Sequence, residues 1–182
     1  MTEWRRNLRA LLAMLALAYL VAMVVSGAMP VQRQLVRFEP KGVLKMAPER
    51  IARVEISRGT QHLTLLRTGD RQWTTADGID IGPAGSRVSM AVQMMNTSGP
   101  VREMAGAELV GVDTTPFGLD PPQLAATLYN MAGEPVLAVR FGARNPEEYL
   151  QYMRLDGDAR LYLMSRFVGE EWNQAMSAAT AR

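Results

Sequence analysis

Residues 51–73 read IARVEISRGTQHLTLLRTGDRQW, and the alternation inside this stretch decides the fold class. Ala52, Val54 and Ile56 are apolar, while Arg53, Glu55 and Ser57 between them are polar. A period of two puts each set on one face of an extended chain, as in a half-buried strand. Gly59-Thr60 offers a hairpin turn, after which Gln61 to Arg67 alternates again through Leu63 and Leu65. Thr68-Gly69-Asp70 is a second turn, leading into a short strand through Trp73. The stretch predicts a three-stranded antiparallel meander.

Downstream, Gly82-Pro83-Ala84-Gly85-Ser86 breaks the strand pattern, and Val88, Ala91, Val92 and Met95 then follow helical spacing. Ser86 is the candidate N-cap, and Asn96 to Pro100 ends the helix. Val101 to Asp113 reads as a short strand near Val101 followed by an irregular connection. Strand signals return at Leu124, Ala126 and Leu128, and again at Leu137, Val139 and Phe141 across the turn Met131-Ala132-Gly133-Glu134. Asn145-Pro146-Glu147 and Asp156-Gly157-Asp158 are further turns, with strands at Tyr149 to Leu155 and through Leu161 and Leu163. Ser165 can cap a last helix whose Phe167, Val168, Trp172, Ala175 and Met176 share a face. The expected fold class is α+β, with an N-terminal transmembrane helix followed by antiparallel β-meanders, each covered by the helix after it.

The transmembrane expectation rests on Ala10 to Met29, a stretch without a charge. As a helix, about 20 residues cross a hydrocarbon core of about 30 Å. Arg5, Arg6 and Arg9 stand before it, and Trp4 is placed to sit at headgroup level as an aromatic anchor. Two readings stay open: a permanent signal anchor, or a signal peptide cut after Ala28, since Ser26-Gly27-Ala28 is small where a peptidase needs it. The long apolar run Leu11 to Val25 favours the anchor. The arginines before the span place the N-terminus in the cytoplasm and the bulk in a periplasm-like space, so a single-pass inner-membrane localisation is expected. The domain plan is a cytoplasmic tail 1–9, the span 10–29, a stalk 30–48, an extracytoplasmic domain 49–178 and a short tail 179–182. Ala18, Ala22 and Ser26 recur every four residues, a small-residue stripe suited to docking another transmembrane helix.

Composition narrows the chemistry. The 182 residues include no Cys and one His, His62. Thiol nucleophiles, zinc-thiolate clusters and two-histidine metal sites are thereby excluded. With 20 Lys+Arg against 18 Asp+Glu the net charge is +2, too even for a nucleic-acid footprint. No phosphate-binding glycine loop, nucleophile elbow or zincin motif occurs. Asp77, Asp80, Asp156 and Asp158 fall in turn sequences without the ligand order of a calcium loop. Methionine is frequent, at 13 residues, and Met90, Met94, Met95 and Met104 cluster around the first soluble helix. Adaptable packing is the common use of such residues, and Met94 and Met95 mark that helix as a protein-contact face.

Phe117-Gly118-Leu119-Asp120-Pro121-Pro122 precedes the strand at Leu124, and Gly118 permits a backbone turn while Phe117 and Leu119 can plug a core. Together with Val54-Glu55-Ile56, Trp73, Phe141-Gly142 and Tyr152-Met153-Arg154-Leu155-Asp156-Gly157, this order resembles the bacterial domain-of-unknown-function family 4340. The resemblance covers most of residues 45–175 and implies an envelope domain behind a membrane helix, sometimes beside ABC-transporter components. It implies no catalytic residue. The function expected is a non-catalytic accessory or scaffold subunit of an inner-membrane complex, with integral membrane subunits and the lipid bilayer as partners, no nucleic acid and no cofactor. The alternative is a carrier for a lipid or small ligand, held between sheet and helix.

Overall fold

In the computed structural model, residues 2–25 and 40–181 are described; within the first helix, side chains are described for Asn7 and for residues 11–24. The chain divides into two compact units, 1–39 and 40–182. The first holds α1 (Thr2–Val25). Every described side chain of α1 is exposed, including Leu11, Leu17 and Tyr19 at 57%, 61% and 67%.

Among the described residues, no helix is long and apolar enough to cross a membrane. This corrects the expected transmembrane helix, its signal-anchor role and the single-pass inner-membrane localisation. The Trp4, Arg5, Arg6 and Arg9 side chains, and Ser26 to Met29 with the first half of the stalk, lie outside what is described.

The second unit is one eight-stranded antiparallel sheet with helices. Its strands are β1 (Ile51–Arg58), β2 (Gln61–Gly69), β3 (Gln72–Thr75), β4 (Arg102–Met104), β5 (Leu124–Asn130), β6 (Pro135–Arg144), β7 (Leu150–Leu155) and β8 (Leu161–Ser165). Its helices are α2 (Ala84–Thr97), the one-turn α3 (Gly106–Leu109) and α4 (Arg166–Thr180). Across the sheet the order is β3-β2-β1-β5-β6-β7-β8-β4. Two separate meanders, each with its own covering helix, are therefore corrected to a single sheet. The cause is the antiparallel pairing of β1 with β5, which sets Val54 beside Leu128 and Ile56 beside Ala126. Matching apolar faces join the two halves edge to edge.

Registry carries the core across the strands. Leu65, Val54, Leu128 and Leu137 form one cross-strand row, and Ile56, Ala126 and Val139 the next. Phe141, Met153 and Tyr162 continue it toward β8. Val88, Ala91, Val92 and Met95 of α2, with Val168, Trp172, Ala175 and Met176 of α4, complete a single buried cluster with these rows. The two helices pack against each other over this face. Phe167, read with the buried face, is instead 58% exposed.

α2 begins two residues before Ser86, with Pro83 at its N-cap and no side-chain cap bond. Residues 40–47 of the expected stalk belong to the folded unit. Leu44 is buried, and Gly42 and Leu44 donate their N–H groups to the carbonyls of Asn96 and Met95, each at 2.8 Å. The buried Asn96 amide answers by donating to the Leu44 and Met46 carbonyls at 2.9 and 3.2 Å. At the sheet margins, the outer side of β3 is occupied by Ile79 and Ile81, which bond Thr75 and Trp73, and β4 is only three residues long.

Candidate partner-binding surfaces

Met95 is fully buried in the core cluster and Met94 is half-buried against it. Ala18 and Ala22 lie on the exposed apolar helix α1; Ser26, the third residue of the stripe, is outside the described residues. The space between sheet and helices, where a carrier would hold its ligand, is filled by Trp73, Phe141, Met153 and Trp172.

The face of the sheet away from α2 and α4 has a different chemistry, because alternate residues of each strand point there. One cross-strand row reads His62, Ser57, Ala125, Arg140, Arg154, Leu161 and Met104, from β2 through β1, β5, β6, β7 and β8 to β4. The neighbouring row reads Thr64, Glu55, Thr127 and Ala138. Ser57, Ala125 and Thr127 floor a trough of about 170 Å³ rimmed by Glu55, His62 and Thr64. Toward β7 the face is roofed by the segment before β5. Gly118 turns with φ +61°, Leu119 is buried, and the Phe117 ring lies 4.4 Å from Tyr152. A side chain at Gly142 would run into the Phe117 carbonyl and the Leu119 side chain, so glycine admits this roof.

Charges on the open face are organised unevenly. Arg53 stacks 3.7 Å from the Tyr129 ring centre, and its Nε is 3.6 Å from Glu55 Oε1. The Tyr129 hydroxyl donates to Glu55 Oε2 at 2.7 Å, and this bond raises the phenol above its ordinary value of 10.0. Arg140 pairs with Asp156 at 2.8 Å. Arg154, directly opposite Arg140, has a buried Nε with no hydrogen-bond partner.

A second charged group closes the β7–β8 turn. Asp158 takes hydrogen bonds from Arg160 and from Tyr162, the latter at 2.6 Å, and they hold its carboxyl well below the usual carboxylate range. Burial, then the Asp158 hydrogen bond, pushes Tyr162 up to about 12. The turn carboxylates considered from sequence are thus spent locally: Asp156 on Arg140, Asp158 on Arg160 and Tyr162, and Asp80 on the Gly82 N–H. Elsewhere, Arg67 lies 4.4 Å from the Trp73 ring centre and donates to the Ile51 and Pro48 carbonyls, and burial lowers its pKa. It lines a cleft of about 200 Å³ with Asp70, Arg71, Ser86 and Ser89. Among the described residues, no group of three or more His, Asp or Glu is arranged to hold a metal ion.

Sequence reasoning passed over Arg140 and Arg154. Each lies in the polar phase of its strand, which was visible; their opposition depends on the β6–β7 register. No family model, curated protein or solved structure matches the chain, so the likeness to family 4340 stands on its motifs alone.

Proposed function

We propose that this chain is a non-catalytic accessory subunit that assembles with a protein partner by packing α1 among the partner's apolar helices. The observation that carries the reading is the exposure of α1: Leu12, Leu15, Leu20 and Val24 are 58–60% exposed, and Met14 and Tyr19 more so. The stretch of α1 from Leu11 to Val24 carries no charge on any side, and such a surface is stable in water only when other apolar surfaces cover it. Ala13, Ala16, Ala18 and Ala22 leave room for close helix approach on more than one side. The folded unit then serves as a rigid body delivered to the partner by that helix.

The test is co-purification of the full-length chain from its own cells, with chemical cross-linking at α1. Wild type brings down a helical partner in fixed ratio. Leu17→Glu, which places a charge among apolar residues, releases it while the melting temperature of the folded unit is unchanged. Unchanged co-purification of Leu17→Glu overturns the reading, and so does capture of the purified chain by protein-free lipid vesicles.

A further inference from the structure

Among the described residues, three arginine Nε atoms are buried without a hydrogen bond: those of Arg53, Arg154 and Arg166. Two of them keep a carboxylate in reach, Glu55 at 3.6 Å from Arg53 and Glu170 at 3.7 Å from Arg166. Arg154 has none among the described residues. Its direct cross-strand neighbour is another cation, Arg140, and among the described residues the carboxylate that ion-pairs with either arginine, Asp156, is bonded to Arg140. Like charges directly opposite in an antiparallel ladder are destabilising, and a desolvated guanidinium nitrogen without an acceptor adds to that cost. Among the described residues, then, nothing neutralises this cation on the open face of the sheet.

We propose that Arg154 and Arg140 receive the side-chain carboxylates of an acidic, extended segment of a partner protein laid across the open face. A guanidinium fork donates two parallel N–H bonds to one carboxylate, the geometry in which such pairs are strongest. From Arg154 the row continues over Ala125 and Ser57 to His62, four strand spacings or about 19 Å. About six extended residues cover that distance. Small side chains along the row let a backbone lie close, and hydroxyls of Ser57 and Thr127 can serve it. Glu55 and Asp156 interrupt the positive field, which suits separated side-chain carboxylates and opposes a continuous phosphate backbone. This surface is distinct from α1, and the variants below leave α1 unchanged.

The experiment is fluorescence anisotropy of a labelled oligoglutamate peptide titrated with the full chain, at low and at physiological salt. Wild type binds, and binding weakens as salt rises. Arg154→Gln loses about tenfold in affinity, the worth of one charge-assisted contact. Arg87→Gln, on α2 over the other face, binds as wild type does. Without peptide, the melting temperature of Arg154→Gln equals or exceeds that of wild type, because an opposed charge has been removed. Absence of peptide binding overturns the proposal, as does wild-type affinity in Arg154→Gln. A lower melting temperature for Arg154→Gln assigns the residue to the fold and overturns it too. Tighter binding of a single-stranded oligonucleotide than of the peptide replaces the acidic protein segment with nucleic acid and also overturns it.

Discussion

On the helix-covered side of the sheet, Leu65, Val54, Leu128 and Leu137 follow one another across four strands without a charge. The adjacent position on each strand gives the row Thr64, Glu55, Thr127 and Ala138, on the side that faces away. The same strands thus build a continuous apolar slab and a polar, partly charged plate. Among the described residues the slab leaves the Trp172 indole N–H unpaired, while the plate leaves the Arg154 cation without a carboxylate. Stability is concentrated on one side, and the other is free to carry chemistry that the fold itself does not need.

That division predicts a graded response to substitution. The largest effect belongs to Trp172, fully buried where α4 meets the sheet. Trp172→Ala should cost about 3–5 kcal/mol in urea denaturation through the cavity it leaves. Its indole N–H is buried without a partner. Trp172→Phe should therefore cost clearly less than Trp172→Ala, since it removes an unsatisfied donor along with some volume. Equal losses would show that the indole nitrogen is bonded. Next comes Asn96→Ala, which strands the Leu44 and Met46 carbonyls. About 1–3 kcal/mol is expected, with amide exchange accelerating at Leu44.

The smallest effects fall on the tyrosines that the two faces treat differently. Tyr162, 2% exposed, is pushed up to about 12 mainly by burial, whereas Tyr129 is raised mainly by its bond to Glu55. Both folded values lie above the ordinary 10.0. The stability these phenols contribute is therefore complete below pH 10 and lost as pH rises through the folded values, about 12 for Tyr162. Titration of phenolate absorbance should show Glu55→Gln returning Tyr129 toward its ordinary value while the Tyr162 step stays put. Tyr129→Phe on the open face should cost under about 1 kcal/mol.

Much of the second unit was legible because its strands are long enough to display their period. The β1–β2 hairpin could be read from Val54, Ile56, Leu63 and Leu65 and from the turn at Gly59, which takes φ +58°. The pairing of β1 with β5 was not legible. It joins residues 68 to 79 apart in sequence, and nothing local to either strand names its outer neighbour. β4 is too short to show an alternation. Methionine at 94 and 95 suits core and contact surface equally, so composition could not separate them, and the structure places Met95 in the core. The charge-free run at the N-terminus was read as a membrane span from its length, whereas no helix among the described residues is long and apolar enough to cross one. On the open face the residue types were visible and their meeting was not, since Arg140 and Arg154 become opposed only through the register.

The margins of the sheet have one more consequence. An eight-stranded open sheet offers two rows of unpaired backbone groups, the usual template on which a further copy adds itself and begins a fibre. Here one margin is already taken up by Ile79 and Ile81, and the other ends after Met104. Addition of a further copy is thus opposed at β3, and β4 offers it only three residues.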